Sequence, residues 1–280
     1  MQSRGTESGF IFTLARTAEE NISRGYYRDL DASAAEGLGR RSLRDSIRGS
    51  KLTPVLAEIK FTSPAEGKLR KPGDVGKIAK AYERGGVSGI SVLTEPRHFE
   101  GDIRYLPLVK RSVRVPVLMK DIIIDPEQID AGARMGADAI LFIAAIFMNR
   151  LSHASLDEMF KRARENGLEV LFEAHTMNEF NFALESEADV VGINNRDLDT
   201  LEVSLATSKA ILAASRERRE ALKVSGRDKP IVSESGITSR RDILELREMG
   251  ADAFLVGSAL MKSSDLQSKV ASLTGKGADR

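Results

Sequence analysis

The sequence predicts an α/β fold, a (β/α)8 TIM barrel carrying an N-terminal helical extension. Three observations point there. From Pro54 onward, short apolar runs alternate with helical stretches, about eight times at ~30-residue spacing, which suits a closed barrel better than an open sheet. Run after run finishes on an ionisable or amide residue: Glu58 and Lys60, Lys120, Glu173, Asn194 and Glu234. Small residues and Gly follow the last two runs, in SESGI (Ser233–Ile237) and VGSAL (Val256–Leu260). A parallel strand buried on both faces does not end in charge unless the charge faces a cavity, and a barrel keeps its active site at the C-terminal strand ends.

Taken in order, residues 1–8 carry no periodicity and are expected to fray. A helix is expected from Gly9 to about Arg24. Asp29–Gly39 reads as a linker, and Ser42–Arg48 as one or two helical turns capped by Ser42. Residues 1–50 are too few to bury a core alone, so they are expected to form a lid or brace on the barrel of residues 51–280 rather than an independent domain. The first strand is expected in PVLAEIK from Pro54, where Glu58 and Lys60, two apart, share a face. Its helix lies near Val75–Arg84. Gly89–Leu93 is the second strand, with a helix near Ile103–Arg111. Val115–Met119 is the third, and its helix starts at about Pro126, which the first helical turn tolerates. The fourth and fifth strands are Ala139–Ala144 and Glu169–Glu173, with helices near Ser155–Asn166 and Asn178–Ser186. Asp189–Ile193, Pro230–Ser233 and Ala253–Val256 complete the barrel, with helices near Ser204–Arg219, Ser239–Met249 and Ser264–Leu273.

RMGADAIL (Arg134–Leu141) and EMGADAFL (Glu248–Leu255) echo one another, with a weaker copy in SEADVVGI (Ser186–Ile193). Each joins a helix end, a turn, an Asp and a strand, which is αβ-turn chemistry and serves the fold. The charged segment Ala214–Lys229 reads as a solvated helix and loop.

Composition narrows the function. A hydrophobic fraction of 41% with 30% charged residues is that of an ordinary globular chain. A net charge of +1 offers no field to attract nucleic acid or a membrane surface. Cys is absent, which excludes disulfides and thiolate chemistry. The early apolar run Gly9–Ala15 is too short for a signal peptide, so a cytoplasmic location is expected. No metal is expected, because His98, His153 and His175 lie in different loops without ligand spacing, and no Walker loop or Rossmann fingerprint appears.

The turns after the seventh and eighth strands occupy the usual phosphate position of this fold, where small residues let backbone N–H groups approach an anion. Beside them, the ring of Glu58, Lys60, Lys120, Glu173, Asn194 and Glu234 reads better as acid–base machinery than as a salt-bridge plug, because buried ion pairs are a poor route to stability. Neighbouring lysines and glutamates shift one another's pKa in opposite directions, yielding separate acids and bases. Phe99, Ile122, Leu141 and Ile143 suit either core packing or the walls of a flat apolar pocket.

AEIKFTSP, ISVLTEP with HFEG, PVLMKD, GINNRDL, SESGI and FLVGSALM, in this order and spacing, resemble the indole-3-glycerol phosphate synthase family over roughly Ser42 to Met261. The resemblance implies conversion of 1-(2-carboxyphenylamino)-1-deoxyribulose 5-phosphate to indole-3-glycerol phosphate, carbon dioxide and water, without metal or organic cofactor. It implies Lys120 as general acid on the ketone oxygen, Lys60 on the substrate carboxylate, Glu173 as base or proton shuttle, and Glu58 holding the lysines. Asn194, Arg196 and Glu234 would orient sugar hydroxyls and lysines. Ser63, Ser235, Gly236, Gly257 and Ser258 would hold the phosphate, and Phe99, Ile122, Leu141, Ile143 and Leu198 would sandwich the aromatic ring. The chain departs from the family pattern at Thr62, at Ala65 in SPAEG, at Ile122 after the Lys-Asp pair, and in a longer region around the sixth helix, which bears on substrate affinity more than on reaction type. Another phosphosugar barrel, an isomerase or synthase, and a non-catalytic phosphometabolite sensor are the competing readings. The expected partner is a small phosphorylated substrate, with no nucleic acid, no membrane and no stable protein partner, the chain acting as a monomer.

Overall fold

The computed structural model of the protein describes residues 9–277, the side chains of Ala32 and Ala34 excepted, so the fraying expected of residues 1–8 lies outside it. Eight parallel strands close into a barrel: β1 Val55–Ile59, β2 Gly89–Leu93, β3 Val117–Lys120, β4 Ala139–Ile143, β5 Glu169–Ala174, β6 Val190–Asn194, β7 Ile231–Glu234 and β8 Ala253–Val256. Each pairs with its sequence neighbours, and β8 closes on β1 with Leu56 opposite Leu255. Second and eighth strands have the expected bounds; the others shift by one or two residues. Strand β3 starts after Pro116, which has no N–H to give a ladder. Lys120, Asn194 and Glu234 are the last residues of their strands, at the C-terminal end of the barrel.

The helices are α1 Phe10–Ser23, α2 Leu43–Arg48, α3 Val75–Gly85, α4 Tyr105–Ser112, α5 Pro126–Arg134, α6 Ala144–Met148, α7 Leu156–Glu165, α8 Met177–Glu185, α9 Ala206–Ala214, α10 Arg216–Val224, α11 Arg240–Glu248, α12 Ser258–Met261 and α13 Leu266–Thr274. One expected element is corrected. The single helix expected over Ser204–Arg219 is two, broken at Ser215 (φ −94°, ψ 1°), whose N–H and hydroxyl both donate to the Ile211 carbonyl, at 3.0 and 2.7 Å. Helix α10 buries no residue, in keeping with a solvated segment. Short elements that periodicity does not reveal are α6, α12, a 3-10 turn at Ala32–Ala35 inside the expected linker, and a hairpin pairing Thr62–Ser63 with Gly67–Lys68.

The Asp echo has a physical cause. Asp138, Asp189 and Asp252 each precede a strand, and each accepts the backbone N–H of the first or second residue of the preceding strand: Val117 at 2.9 Å, Val170 at 2.9 Å and Ile231 at 2.7 Å. The three carboxylates fix register at the N-terminal face, where side-chain alternation alone would leave slippage to packing.

The N-terminal segment straps the barrel from end to end. Helix α1 lies over the mouth near α6 and puts Phe10 and Leu14 into the wall of the cavity there. Below it Arg134 donates to the Tyr27 carbonyl at 2.7 Å, and Arg40 bonds the Ala137 and Ala133 carbonyls. At the far end Ser42 caps α2 as expected, and the buried Leu43 and Ile47 close the base, with Ser46 bonded to the Ser88 carbonyl just below β2.

Candidate active site

Side chains from five strands converge at the mouth. Lys60, one residue past β1, places Nζ 2.8 Å from Glu58 Oε1. Lys120 Nζ sits among three carboxylates: Glu234 Oε2 at 2.8 Å, Glu173 Oε2 at 3.5 Å and Glu58 Oε2 at 3.6 Å. Asn194 donates to Glu173 Oε1 at 3.0 Å and accepts the Arg196 N–H at 2.9 Å. The barrel makes room with glycine. A Cβ at Gly192 would lie 2.2 Å from Glu234 Oε1, and one at Gly257 would lie 2.4 Å from Glu58 Oε1. Gly257, expected only beside the phosphate, thus also makes space for the charge ring.

Burial and neighbours drive these groups apart. Burial opposes charge on Glu58, yet Lys60 and Lys120 hold its carboxyl below the ordinary value. Burial also opposes charge on Lys120, but Glu234, Glu173 and Glu58 outweigh it and keep the ammonium protonated. Burial pushes Glu234 up to about 8; Lys120 pulls against the rise and Glu173 adds to it. Glu173 Oε2 is buried, has no hydrogen-bond partner among the described residues and belongs to a residue of the cavity wall.

The cavity over this ring is lined by the expected Ser63, Phe99, Ile122, Leu141, Ile143, Arg196, Leu198, Ser235, Gly236, Gly257 and Ser258, together with Glu58, Lys60, Lys120, Glu173 and Asn194. Glu234 is the exception. It is fully buried behind Lys120 and forms no part of the wall, so it meets the lysine rather than a ligand. At one end of the cavity Ser235 and Gly236 both take left-handed backbone, at φ 66° and 78°, and the Gly236 N–H has no acceptor among the described residues. Asn195 holds that turn, its amide donating to the carbonyls of Glu234 at 2.9 Å and Ser235 at 3.1 Å. Left-handed conformation at a non-Gly residue marks a backbone that the surroundings enforce.

Sequence reasoning missed several wall residues. Phe10 and Leu14 stand at i and i+4 of α1, a spacing visible beforehand, but only the strap's path brings them to the mouth. Glu66, on the hairpin tip, gave no signal. His175 is a loop residue, as expected, but half-buried: its Nδ1 lies 2.8 Å from the Asn194 carbonyl oxygen and its Nε2 3.5 Å from Asp197.

Asp121 was missed too. It follows Lys120, is buried, and accepts from Thr94 Oγ1 at 2.5 Å, the Ile122 N–H at 2.8 Å and Tyr27 OH of the strap at 3.1 Å. Burial, with Glu95 adding, raises its pKa from 3.8 to about 7 despite these donors. The folded protein therefore takes up a proton that the unfolded chain releases, and the associated stability is complete below about 4 and lost as pH rises through about 7. In urea unfolding across that window, wild type is expected to lose stability relative to Asp121→Asn; parallel pH profiles would show that the carboxyl stays ionised.

Among the described residues no helix is long and apolar enough to cross a membrane, and no group of three or more His, Asp or Glu side chains is arranged to hold a metal ion.

The comparisons agree with the geometry. The family model for indole-3-glycerol phosphate synthase matches residues 14–273. An indole-3-glycerol phosphate synthase of Methanopyrus kandleri is 42% identical over 85% of this chain and 89% of that protein. One of Geobacillus thermodenitrificans is 42% identical over 79% of this chain and 81% of its own length. A solved structure of thiamine phosphate pyrophosphorylase from Pyrococcus furiosus superposes with a TM-score of 0.55, covering 83% of this chain and 96% of that one; at 17% identity it speaks for the barrel fold alone. With the match running through both the strap and the barrel, this chain belongs to the indole-3-glycerol phosphate synthase family.

Proposed function

We propose that this chain closes the indole ring of indole-3-glycerol phosphate from 1-(2-carboxyphenylamino)-1-deoxyribulose 5-phosphate, with Lys120 as the acid for ring closure. The observation that carries the reading is the Lys120 ammonium, kept charged by three carboxylates at the floor of a cavity that is apolar on one side and rich in hydroxyl and N–H donors on the other. As the aromatic carbon attacks the ketone carbon, the carbonyl oxygen becomes an alkoxide. A proton donor fixed beneath it lowers that barrier.

Lys60 stands beside Lys120 and suits the substrate carboxylate; once carbon dioxide has left, it can protonate the hydroxyl that departs as water. Glu173, a wall residue whose Oε2 accepts no hydrogen bond and only faces Lys120 at 3.5 Å, is the base that removes the remaining ring proton. Glu58 positions both lysines, bonding each through a different oxygen. Glu234 positions Lys120 from behind, and Asn194 steers Glu173. Ser63, Ser235, Gly236, Gly257 and Ser258 supply the phosphate end. Phe99, Ile122, Leu141, Ile143 and Leu198 form the slot for the aromatic ring, whose enclosure also keeps water from the charged intermediates.

Adding the carboxyphenylamino-deoxyribulose phosphate to the protein is expected to produce indole fluorescence that grows with time and enzyme. A protein that binds the phosphate ester and yields no fluorescence would overturn the synthase reading in favour of a phosphometabolite-binding barrel.

A further inference from the structure

The hairpin after β1 carries Pro64, Ala65 and Glu66 over the cavity mouth. Glu66 does not simply face water. Its Oε1 accepts from Ser258 Oγ at 2.6 Å and lies 3.7 Å from Arg196 Nη2, and its Oε2 accepts from Lys262 Nζ at 2.5 Å. One hydroxyl and two cations around a small volume are what a phosphate group recruits. Here a carboxylate of the chain itself holds them.

We propose that Glu66 is an internal competitor for the substrate's phosphate: it occupies the Ser258–Lys262 end of the phosphate subsite and is displaced when the phosphate enters. The inference rests on the reading above, in which Ser258 belongs to the phosphate end. The Ser258 hydroxyl has one proton to donate, so carboxylate and phosphate cannot both receive it. Nor do two anions within a few ångströms share one subsite without repulsion. Release requires little rearrangement, because the hairpin arms are two residues each and the tip backbone is exposed. Thr62, bonded to Glu100 at 2.9 Å, stays anchored at the base. Such a competitor lowers the affinity of every phosphate ester by the same displacement cost, so that phosphate alone does not fill the site. A small phosphate ester must displace Glu66 with its phosphate alone, whereas the full substrate also gains the aromatic slot and Lys60.

The test measures binding of inorganic phosphate by calorimetry, and kcat and KM with the full substrate, for wild type, Glu66→Gln, Lys262→Ala and the double variant. Gln keeps the shape and the bond from Ser258 but not the charge. Glu66→Gln is expected to bind inorganic phosphate about tenfold more tightly and to lower KM with a smaller change in kcat. Adding Lys262→Ala to it should reverse most of that gain, because the phosphate then loses the nearer of its two cations. Phosphate binding that is unchanged or weaker in Glu66→Gln overturns the inference, and if wild type still forms product, the synthase reading survives that failure. Absence of product from wild type defeats the synthase reading, while the phosphate constants still decide the role of Glu66.

Discussion

Replacing Lys120 with Ala is expected to lower kcat by roughly a thousandfold, the scale of a well-placed general acid. KM should change far less, since Ser63, Ser235, Gly236 and the apolar slot are untouched. The same substitution has a second expected effect. Glu58, Glu173 and Glu234 all point at the ammonium, and without it three buried carboxylates face one another. Glu58 keeps Lys60 at 2.8 Å, but Glu173 and Glu234 are left without a cation and escape repulsion by binding protons, so the variant should lose stability as pH rises through neutrality. Urea unfolding at low and high pH, beside the fluorescence assay, separates the two effects. Full loss of turnover in a variant that remains folded at low pH marks Lys120 as the acid; near-normal turnover would sink that role, whatever the stability.

The barrel and its charge ring were legible because both are periodic. Apolar runs at regular spacing give the strands, and a charge at the end of a buried run has nowhere to go but the mouth. Lys120 and Glu173 could be found that way because each breaks its own strand's pattern. What was not legible depends on contacts between distant segments. Phe10 and Leu14 reach the cavity only because the strap crosses the mouth. Asp121 is recognisable only with Tyr27 and Thr94 around it. Glu234 reads in sequence as one more mouth residue, and its place behind Lys120 follows from the open space at Gly192. The break at Ser215, whose N–H and hydroxyl share the Ile211 carbonyl, interrupts a pattern that reads in sequence as one continuous helix.

The largest loss of stability is expected at the opposite end of the barrel, from Asp138→Ala. Asp138 and Lys110 are both buried, with Lys110 Nζ 2.5 Å from Asp138 Oδ1. The same carboxylate also accepts the N–H groups of Arg41 at 2.8 Å and Val117 at 2.9 Å, joining α4, the strap and β3 at one point. Truncation leaves an ammonium ion and two N–H donors without their acceptor, at a cost of about 3–5 kcal/mol, a large share of a typical domain's stability. Because the penalty lies in the stranded charge, removing that charge as well should recover much of it. The double variant Lys110→Met/Asp138→Asn is therefore expected to be more stable than Asp138→Ala, with an unchanged denaturant slope. If the double variant is no better, the carboxylate matters through its backbone bonds rather than through Lys110. A buried Lys–carboxylate contact thus recurs at both ends of this barrel with different consequences. At the N-terminal face every oxygen is satisfied by the chain and the pair serves the fold. At the mouth Glu173 Oε2 meets only the Lys120 ammonium at 3.5 Å, with no hydrogen bond, and both residues line a cavity, so the charges there can turn to a substrate.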